Sequence, residues 1–359
     1  MSKETFLKND KGNSIIEFGS ITDSSFDKLL NSSYSHSKIV IMVDENTHEY
    51  CLEYLITSFE VLKEAEVMLL PAGEQNKVME VCFQVWEAMS EYQIGRKDLV
   101  VNLGGGVVTD MGGFIASVFK RGVDFINIPT SLLGMVDASI GGKTGIDIGS
   151  YKNQLGTITQ PVAVFIDPLF LSTLPQEEIL NGYSEMLKHT LITNKNKFIE
   201  LTNIGGFEDL LKIDLIEQSV KIKNEIVLLD PFEKGIRKVL NFGHTIGHAI
   251  EGYMLSIDPI PHGLAVAAGM LVESYISYKR GILAKEEFVL IEQEILSRFP
   301  KIEIQKNALK EIIQLCFQDK KNEANKVSCT LINGIGNPLF DQFLMINDIE
   351  NGLKYYRDL

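Results

Sequence analysis

Leu99-Val-Val-Asn-Leu-Gly-Gly-Gly-Val-Val-Thr-Asp110 decides how this chain is read. Leu99 to Leu103 is a short apolar run of the kind that forms a strand covered on both faces. The three glycines follow at once, and a helical pattern opens behind them. A glycine turn between a buried strand and a helix lets backbone N–H groups and the positive helix end approach a phosphate without side-chain obstruction. The spacing departs from the G-x-G-x-x-G fingerprint, and a glycine triplet alone also suits a simple tight turn.

Similar runs lie on either side at Ile39 to Val43, Val67 to Leu70, Phe125 to Ile128 and Val162 to Ile166. Lys77 to Tyr92 and Thr109 to Lys120 carry apolar residues at helical spacing between them. Alternating strands and helices predict a parallel sheet of α/β type. After Leu174-Pro175 helical periodicity takes over at Glu178 to Thr193, Leu210 to Leu229, Val239 to Tyr253, Leu264 to Tyr278, Lys285 to Phe299 and Ala308 to Cys316. The chain therefore reads as an α/β domain over 1–174 and a helical domain over 175–359. Val327 to Ile332 reads either as a late strand or as an extended segment.

Asp44 ends the first strong strand, where an acid either accepts hydrogen bonds from ribose hydroxyls or caps the next helix. Thr130 and Ser131 stand at another strand end. Asp137-Ala-Ser-Ile-Gly-Gly-Lys143-Thr-Gly-Ile-Asp147, with Lys152 and Asn153 beyond it, reads as a loop that wraps something charged.

The chain has 359 residues, 45% of them apolar and 23% charged, which excludes disorder as the main state. Its 34 basic and 48 acidic residues give a formal charge of −14. That balance argues against a nucleic-acid or anionic-membrane surface, so an anionic substrate would need a local basic pocket. The four cysteines form no CxxC pair, which suggests reduced thiols in a cytoplasmic enzyme. Neither a signal-length apolar core at the start nor an uninterrupted apolar run of membrane length is visible.

Three of the six histidines cluster in Asn241-Phe-Gly-His244-Thr-Ile-Gly-His248-Ala-Ile-Glu251 and at His262. On one continuous helix Arg237, Asn241, His244 and His248 would share a face. A His-x3-His pair with a third histidine at the next helix fits a divalent metal completed by a carboxylate. Glu185 is the best carboxylate candidate, beside Lys188. His189 at i+4 competes as a ligand, and Glu185 with Lys188 also reads as a surface pair.

Together with Pro71-Ala-Gly-Glu74-Gln-Asn-Lys77, Pro129-Thr-Ser-Leu-Leu and His262-Gly-Leu-Ala-Val-Ala-Ala-Gly-Met270, these segments resemble the 3-dehydroquinate synthase family of sugar phosphate cyclases. The resemblance runs from about Asp44 to Lys321. It implies a Rossmann-like NAD-binding domain, a helical domain holding one zinc or cobalt ion, and a homodimer. The implied metal ligands are Glu185, His244 and His262, which leaves His189 structural and His248 beside the substrate as a proton-handling group. The implied NAD contacts are Asp44, Glu74, Lys77, Gly105, Gly106, Asp110, Thr130, Ser131, Lys152, Thr173 and Asn181.

The implied substrate contacts are Arg121, Asp137, Lys143, Asn153, Lys188, Lys223, Arg237, Asn241, His248 and one of Lys320 and Lys321. Of these, Lys143, Lys188, Arg237, Asn241 and His248 carry the chemistry. Many relatives have Asp-Gly-Glu-Gln-Tyr-Lys where this chain has Ala72-Gly-Glu-Gln-Asn-Lys77, so a ring is missing beside the implied cofactor. The implied reaction takes 3-deoxy-D-arabino-heptulosonate 7-phosphate through transient oxidation, phosphate elimination, re-reduction and an aldol closure. Another sugar phosphate cyclase, a glycerol-dehydrogenase-like oxidoreductase and a non-catalytic NAD-binding relative are the alternatives.

Overall fold

Strands covered on both faces need apolar side chains on both, and the five predicted apolar runs all form parallel strands. Of these, the edge strand Glu66–Leu70 is covered on one face only, with Val67 and Leu69 exposed. The computed structural model describes residues 3–9, 12–149, 151–255, 257–317 and 326–359. The chain divides into two compact units, residues 1–175 with 211–224, and residues 176–210 with 225–359. Leu211–Asn224, read above with the helical half, is thus grouped with the first unit.

The strands of the first unit are β1 (Lys3–Asn9), β2 (Gly12–Phe18), β3 (Ile39–Asp44), β4 (Glu66–Leu70), β5 (Leu99–Gly104), β6 (Asp124–Pro129), β7 (Lys143–Ile148), β8 (Tyr151–Ile158) and β9 (Ala163–Ile166). Seven form one sheet in the order β1-β2-β9-β6-β5-β3-β4, parallel throughout except for β1 against β2. The chain runs from β3 out to β4, then returns to place β5 on the other side of β3. The carboxyl ends of β3 and β5 therefore flank a topological switch point, where open α/β sheets leave a crevice.

β5 is buried along its whole length, and Val100, Val108, Met111 and Phe114 join the core with Cys82, Val85 and Met89 of the helix Met79–Glu91. The helix Gly106–Val118 packs closely because Gly112 and Gly113 leave no room for a side chain. A Cβ on Gly112 would collide with the Asn102 amide, and one on Gly113 would come within 2.6 Å of Thr144. The buried amides of Asn102 and Asn127 bond across β5 and β6 at 2.9 Å.

The stretch from Asp137 to Asn153 differs from the loop expected. It begins in a π-type turn, Gly134–Ala138, and continues as an antiparallel hairpin of β7 and β8. Glycine hides this strand pair from composition. Gly145 faces Gly156 in the ladder, and a Cβ on Gly145 would stand 2.7 Å from the Leu155 carbonyl oxygen.

The second unit is helical around His262–Lys279, which is buried on nearly every side as its apolar composition requires. Gln176–Leu191, His244–Met254, Lys285–Arg298 and Ile346–Asp358 pack against it. It is not wholly helical, because β10 (Val327–Ile332) and β11 (Pro338–Leu344) pair as an antiparallel hairpin. Their turn, Asn333-Gly-Ile-Gly336, has Gly334 and Gly336 at positive φ. Among the described residues no helix is long and apolar enough to cross a membrane.

Candidate active site

In the first unit the glycine turn leaves helix N–H groups available. Gly105 is the N-cap of Gly106–Val118, and no acidic residue stands in the first turn. Gly104 is glycine for packing, since a Cβ there would collide with Val108. Gly105 is different. A Cβ there would meet Ser131 Oγ at 3.2 Å, a tight contact that the Ser131 side chain would have to relieve rather than the hard collision found at Gly104. Thr130 and Ser131 follow β6 beside this turn, with the Thr130 N–H donating to the Gly104 carbonyl at 3.0 Å.

Asp44, at the end of β3, adopts the capping role: its carboxylate accepts from the Thr47 N–H at 2.8 Å, and the Asp44 N–H donates to Thr47 Oγ1. Lys77 is buried, donating to Asp110 at 2.7 Å and to Asn153 Oδ1 at 2.8 Å. Burial works to lower the Lys77 ammonium, but Asp110 and Glu74 outweigh it and hold it above its ordinary value. Burial in turn raises the Asp110 carboxyl, against the pull of Lys77.

Glu74 also faces Lys152 at 3.5 Å. Asn153 has a positive φ of 51° and donates its N–H to Asp147. Lys223 is buried and grips Asp137 at 2.6 Å. Lys143, Arg121 and Thr173 are exposed, and Arg121 has a φ of 66°.

In the second unit Glu185 and Lys188 are fully buried on Gln176–Leu191 and form a close ion pair, so they are not a surface pair. Glu185 Oε1 lies 3.5 Å from His244 Nε2. One ligand atom from each of His244, His248 and His262 falls within 4.8 Å of the others. His189, the competing ligand candidate, is fully buried on the same helix as Glu185.

The two helices that carry these histidines cross backbone to backbone. A Cβ on Gly247 would stand 2.9 Å from the Ala265 carbonyl oxygen, and one on Gly269 would collide with that of Gly243.

One continuous helix through Arg237 and His248 does not form. Ile236–Asn241 is a 3-10 turn, and Gly243 adopts a left-handed φ of 81° before His244 starts the α-helix. A side chain at Gly243 would strike Met270 and the Val266 carbonyl, so glycine both breaks the helix and admits its neighbour. Arg237 is instead buried, donating to the Pro231 carbonyl at 2.7 Å, and Asn241 donates to Glu233 at 2.6 Å. Asn181 has both ends of its amide engaged, accepting from the Gly263 N–H and donating to Glu178. Lys320 and Lys321 lie outside the described residues.

The chemistry of the histidine donors suits a divalent ion. Burial first, then Lys188 and the neighbouring imidazoles, push the His244 pKa well below its ordinary value, and a metal requires the neutral ring. His244 Nδ1 sits 3.2 Å from the Phe242 carbonyl, which directs Nε2 toward Glu185. Two buried glutamates here escaped the sequence reading. Glu273 accepts from the Gly243 and Ile246 N–H groups, capping the His244 helix, and Glu251 lies beside His262. Their only signal is an acid among small and apolar residues on a helix.

Comparison with known proteins fits this arrangement. A model described as 3-dehydroquinate synthase N-terminal matches residues 67–181, and one described as 3-dehydroquinate synthase C-terminal matches residues 182–322. The chain belongs to the 3-dehydroquinate synthase family. A 3-dehydroquinate synthase of Parabacteroides distasonis is 40% identical over 330 residues, covering 91% of this chain and 93% of that one. One of Helicobacter pylori is 38% identical, covering 83% and 86%.

Among solved structures, a 2-deoxy-scyllo-inosose synthase complexed with carbaglucose-6-phosphate, NAD+ and Co2+ superposes with a TM-score of 0.84 at 22% identity, over 100% of this chain and 99% of that one. A 2-epi-5-epi-valiolone synthase from Streptomyces hygroscopicus with NAD+ and Zn2+ bound gives 0.83 at 25%, with the same coverage. A probable glycerol dehydrogenase from Sinorhizobium meliloti gives 0.62 at 12%, covering 95% of each chain, a likeness of fold alone. The family fold is thus common to cyclases and dehydrogenases, and the site residues must separate them.

Proposed function

We propose that this chain is a cytoplasmic, homodimeric 3-dehydroquinate synthase that converts 3-deoxy-D-arabino-heptulosonate 7-phosphate to 3-dehydroquinate and phosphate with NAD and one zinc or cobalt ion. The observation that carries the reading is the gathering of Glu185, His244, His248 and His262 around buried Lys188, in a chain with full-length relatives of that name. Glu185, His244 and His262 are assigned to the metal. The turn Gly104–Gly106, with Thr130, Ser131, Asp44 and the Lys77–Asp110 pair, is assigned to NAD, together with Glu74, Lys152, Thr173 and Asn181. When bound, NAD supplies a hydride acceptor that later becomes the donor, and the metal ion supplies Lewis acidity.

The chain's own residues then bind, orient and move protons. Lys143, Lys188, Lys223, Arg121 and Arg237 place positive charge for a substrate that carries both a carboxylate and a phosphate, on a protein whose overall charge is −14. Arg237 is anchored by the Pro231 carbonyl and Asn241 by Glu233, so both approach a ligand from fixed positions. Asp137 holds the Lys223 ammonium, and Asn153 is held through Lys77 and Asp147. His248 is exposed beside His244 and His262, and its imidazole is assigned to proton handling.

The reading is tested by supplying the heptulosonate phosphate, NAD and a divalent ion and following phosphate release with the absorbance of reduced nicotinamide. A cyclase releases phosphate over many turnovers with at most one equivalent of NADH per site. NADH that accumulates in step with product, without phosphate, overturns the reading in favour of a glycerol-dehydrogenase-like oxidoreductase.

A further inference from the structure

His262 and Glu251 meet although they come from different helices. Glu251 lies on His244–Met254, where positions 244, 248 and 251 follow the i, i+4, i+7 spacing of one helix face. Its side chain is 5% exposed, and Oε2 stands 3.3 Å from Nδ1 of His262, the first residue of the next helix. The helix that supplies one proposed metal ligand thus also supplies a carboxylate to another. A carboxylate accepts, so the ring nitrogen facing it carries the proton, and the lone pair of the neutral imidazole is then on Nε2.

We propose that Glu251 is a positioning residue for the metal centre, fixing the tautomer and ring orientation of His262 so that Nε2 is the coordinating nitrogen. The inference rests on the assignment of His262 as a ligand in the proposed function. The His244 ring is fixed in the same sense by a backbone carbonyl. The backbone serves the ring that follows it in sequence, whereas the ring arriving from the second helix needs a side chain. A charged acceptor also raises the basicity of the ring it holds, and loss of such outer partners typically weakens metal affinity by about 10–100-fold.

The experiment measures Co2+ affinity of the full chain with NAD present, by competition against a chromophoric chelator, for the wild type, Glu251→Leu and Glu251→Gln. Leucine fills the buried volume without an acceptor, and glutamine keeps an acceptor without the charge. The expected order is wild type tightest, glutamine weaker by a few-fold and leucine weaker by about 10–100-fold. NAD affinity and far-UV ellipticity should stay unchanged.

Wild-type affinity in the leucine variant overturns the proposal. So does a folded glutamine variant that binds as poorly as leucine, because ring orientation is then not what the carboxylate provides. If leucine prevents folding, Glu251→Met takes its place with the same expected loss, and wild-type affinity there overturns the proposal. A wild-type chain that binds no Co2+, or a His262→Ala variant that binds it normally, instead overturns the ligand assignment itself.

Discussion

Glu273 turns the pH of the solution into a measurable load on the second unit. It is fully buried, its carboxylate accepts from the backbone N–H groups that open the His244 helix, and burial pushes its pKa up to about 8 from an ordinary 4.5 despite those bonds. Between those two values the native state keeps a proton that the unfolded chain has already lost. Stability must therefore fall as pH rises across the interval. At 1.36 kcal/mol per pH decade the full gap is worth about 5 kcal/mol, of which about 3 kcal/mol falls between about pH 5.5 and about pH 8.5.

Glu273→Gln removes the titration while keeping a side-chain acceptor for the helix end. Urea unfolding followed by far-UV ellipticity, with divalent ions chelated so that their binding adds nothing, gives the stability of both proteins at each pH. The wild type should lose about 3 kcal/mol relative to the variant over that window. A difference that stays flat, or that grows in favour of the wild type with rising pH, refutes the reasoning.

Four further outcomes follow from the site. His262→Ala should abolish tight Co2+ binding while His189→Ala retains it, read by equilibrium dialysis; the reverse pattern contradicts the ligand set. Gly105→Val, checked for native far-UV ellipticity, should lose NAD affinity in calorimetric titration; unchanged affinity in the folded variant would move the cofactor away from this turn. Lys77→Met leaves the half-buried Asp110 carboxylate without its cation and should cost about 1.5–3 kcal/mol in unfolding free energy, an effect under 1 kcal/mol counting against the pair. In a single-turnover mixture of the proposed substrate and enzyme-bound NAD, the reduced-nicotinamide signal should rise and decay as phosphate appears, and a rise without decay would exclude re-reduction on the same cofactor.

The sheet was legible because its strands are apolar on both faces. Ile39-Val-Ile-Met-Val43 and Leu99-Val-Val-Asn-Leu103 admit few other readings, and both strands lie where they were expected. The hairpin of β7 and β8 was not legible, because the glycines that let its strands approach also remove the alternation that marks a strand. The stripe from Arg237 to His248 failed for a related reason. Helical spacing cannot reveal that Gly243 is left-handed, since that conformation is imposed by Met270 and Val266 from another helix.

The His-x3-His pair and Glu185 could be read because each has few other uses at such spacing. Glu251 and Glu273 could not, since a glutamate on a helix is ordinarily a solvated one. Asp44 satisfies a cap in the structure, which was one of its two readings at the outset.

The glycine contacts between the two histidine-bearing helices set a manufacturing tolerance for whatever ion rests there. Helices that meet through side chains have a compliant layer between them, and a methyl group added at one point is absorbed by rotamer changes at several others. At Gly247 and Gly269 no such layer exists, and the added atom acts directly on a carbonyl of the opposite helix. Alanine at either position must shift whole helices, and with them the span between His244 and His262. A residue that never touches the ion would then govern its retention as strictly as a ligand does, and its loss would pass in an activity screen for damage to the chemistry itself.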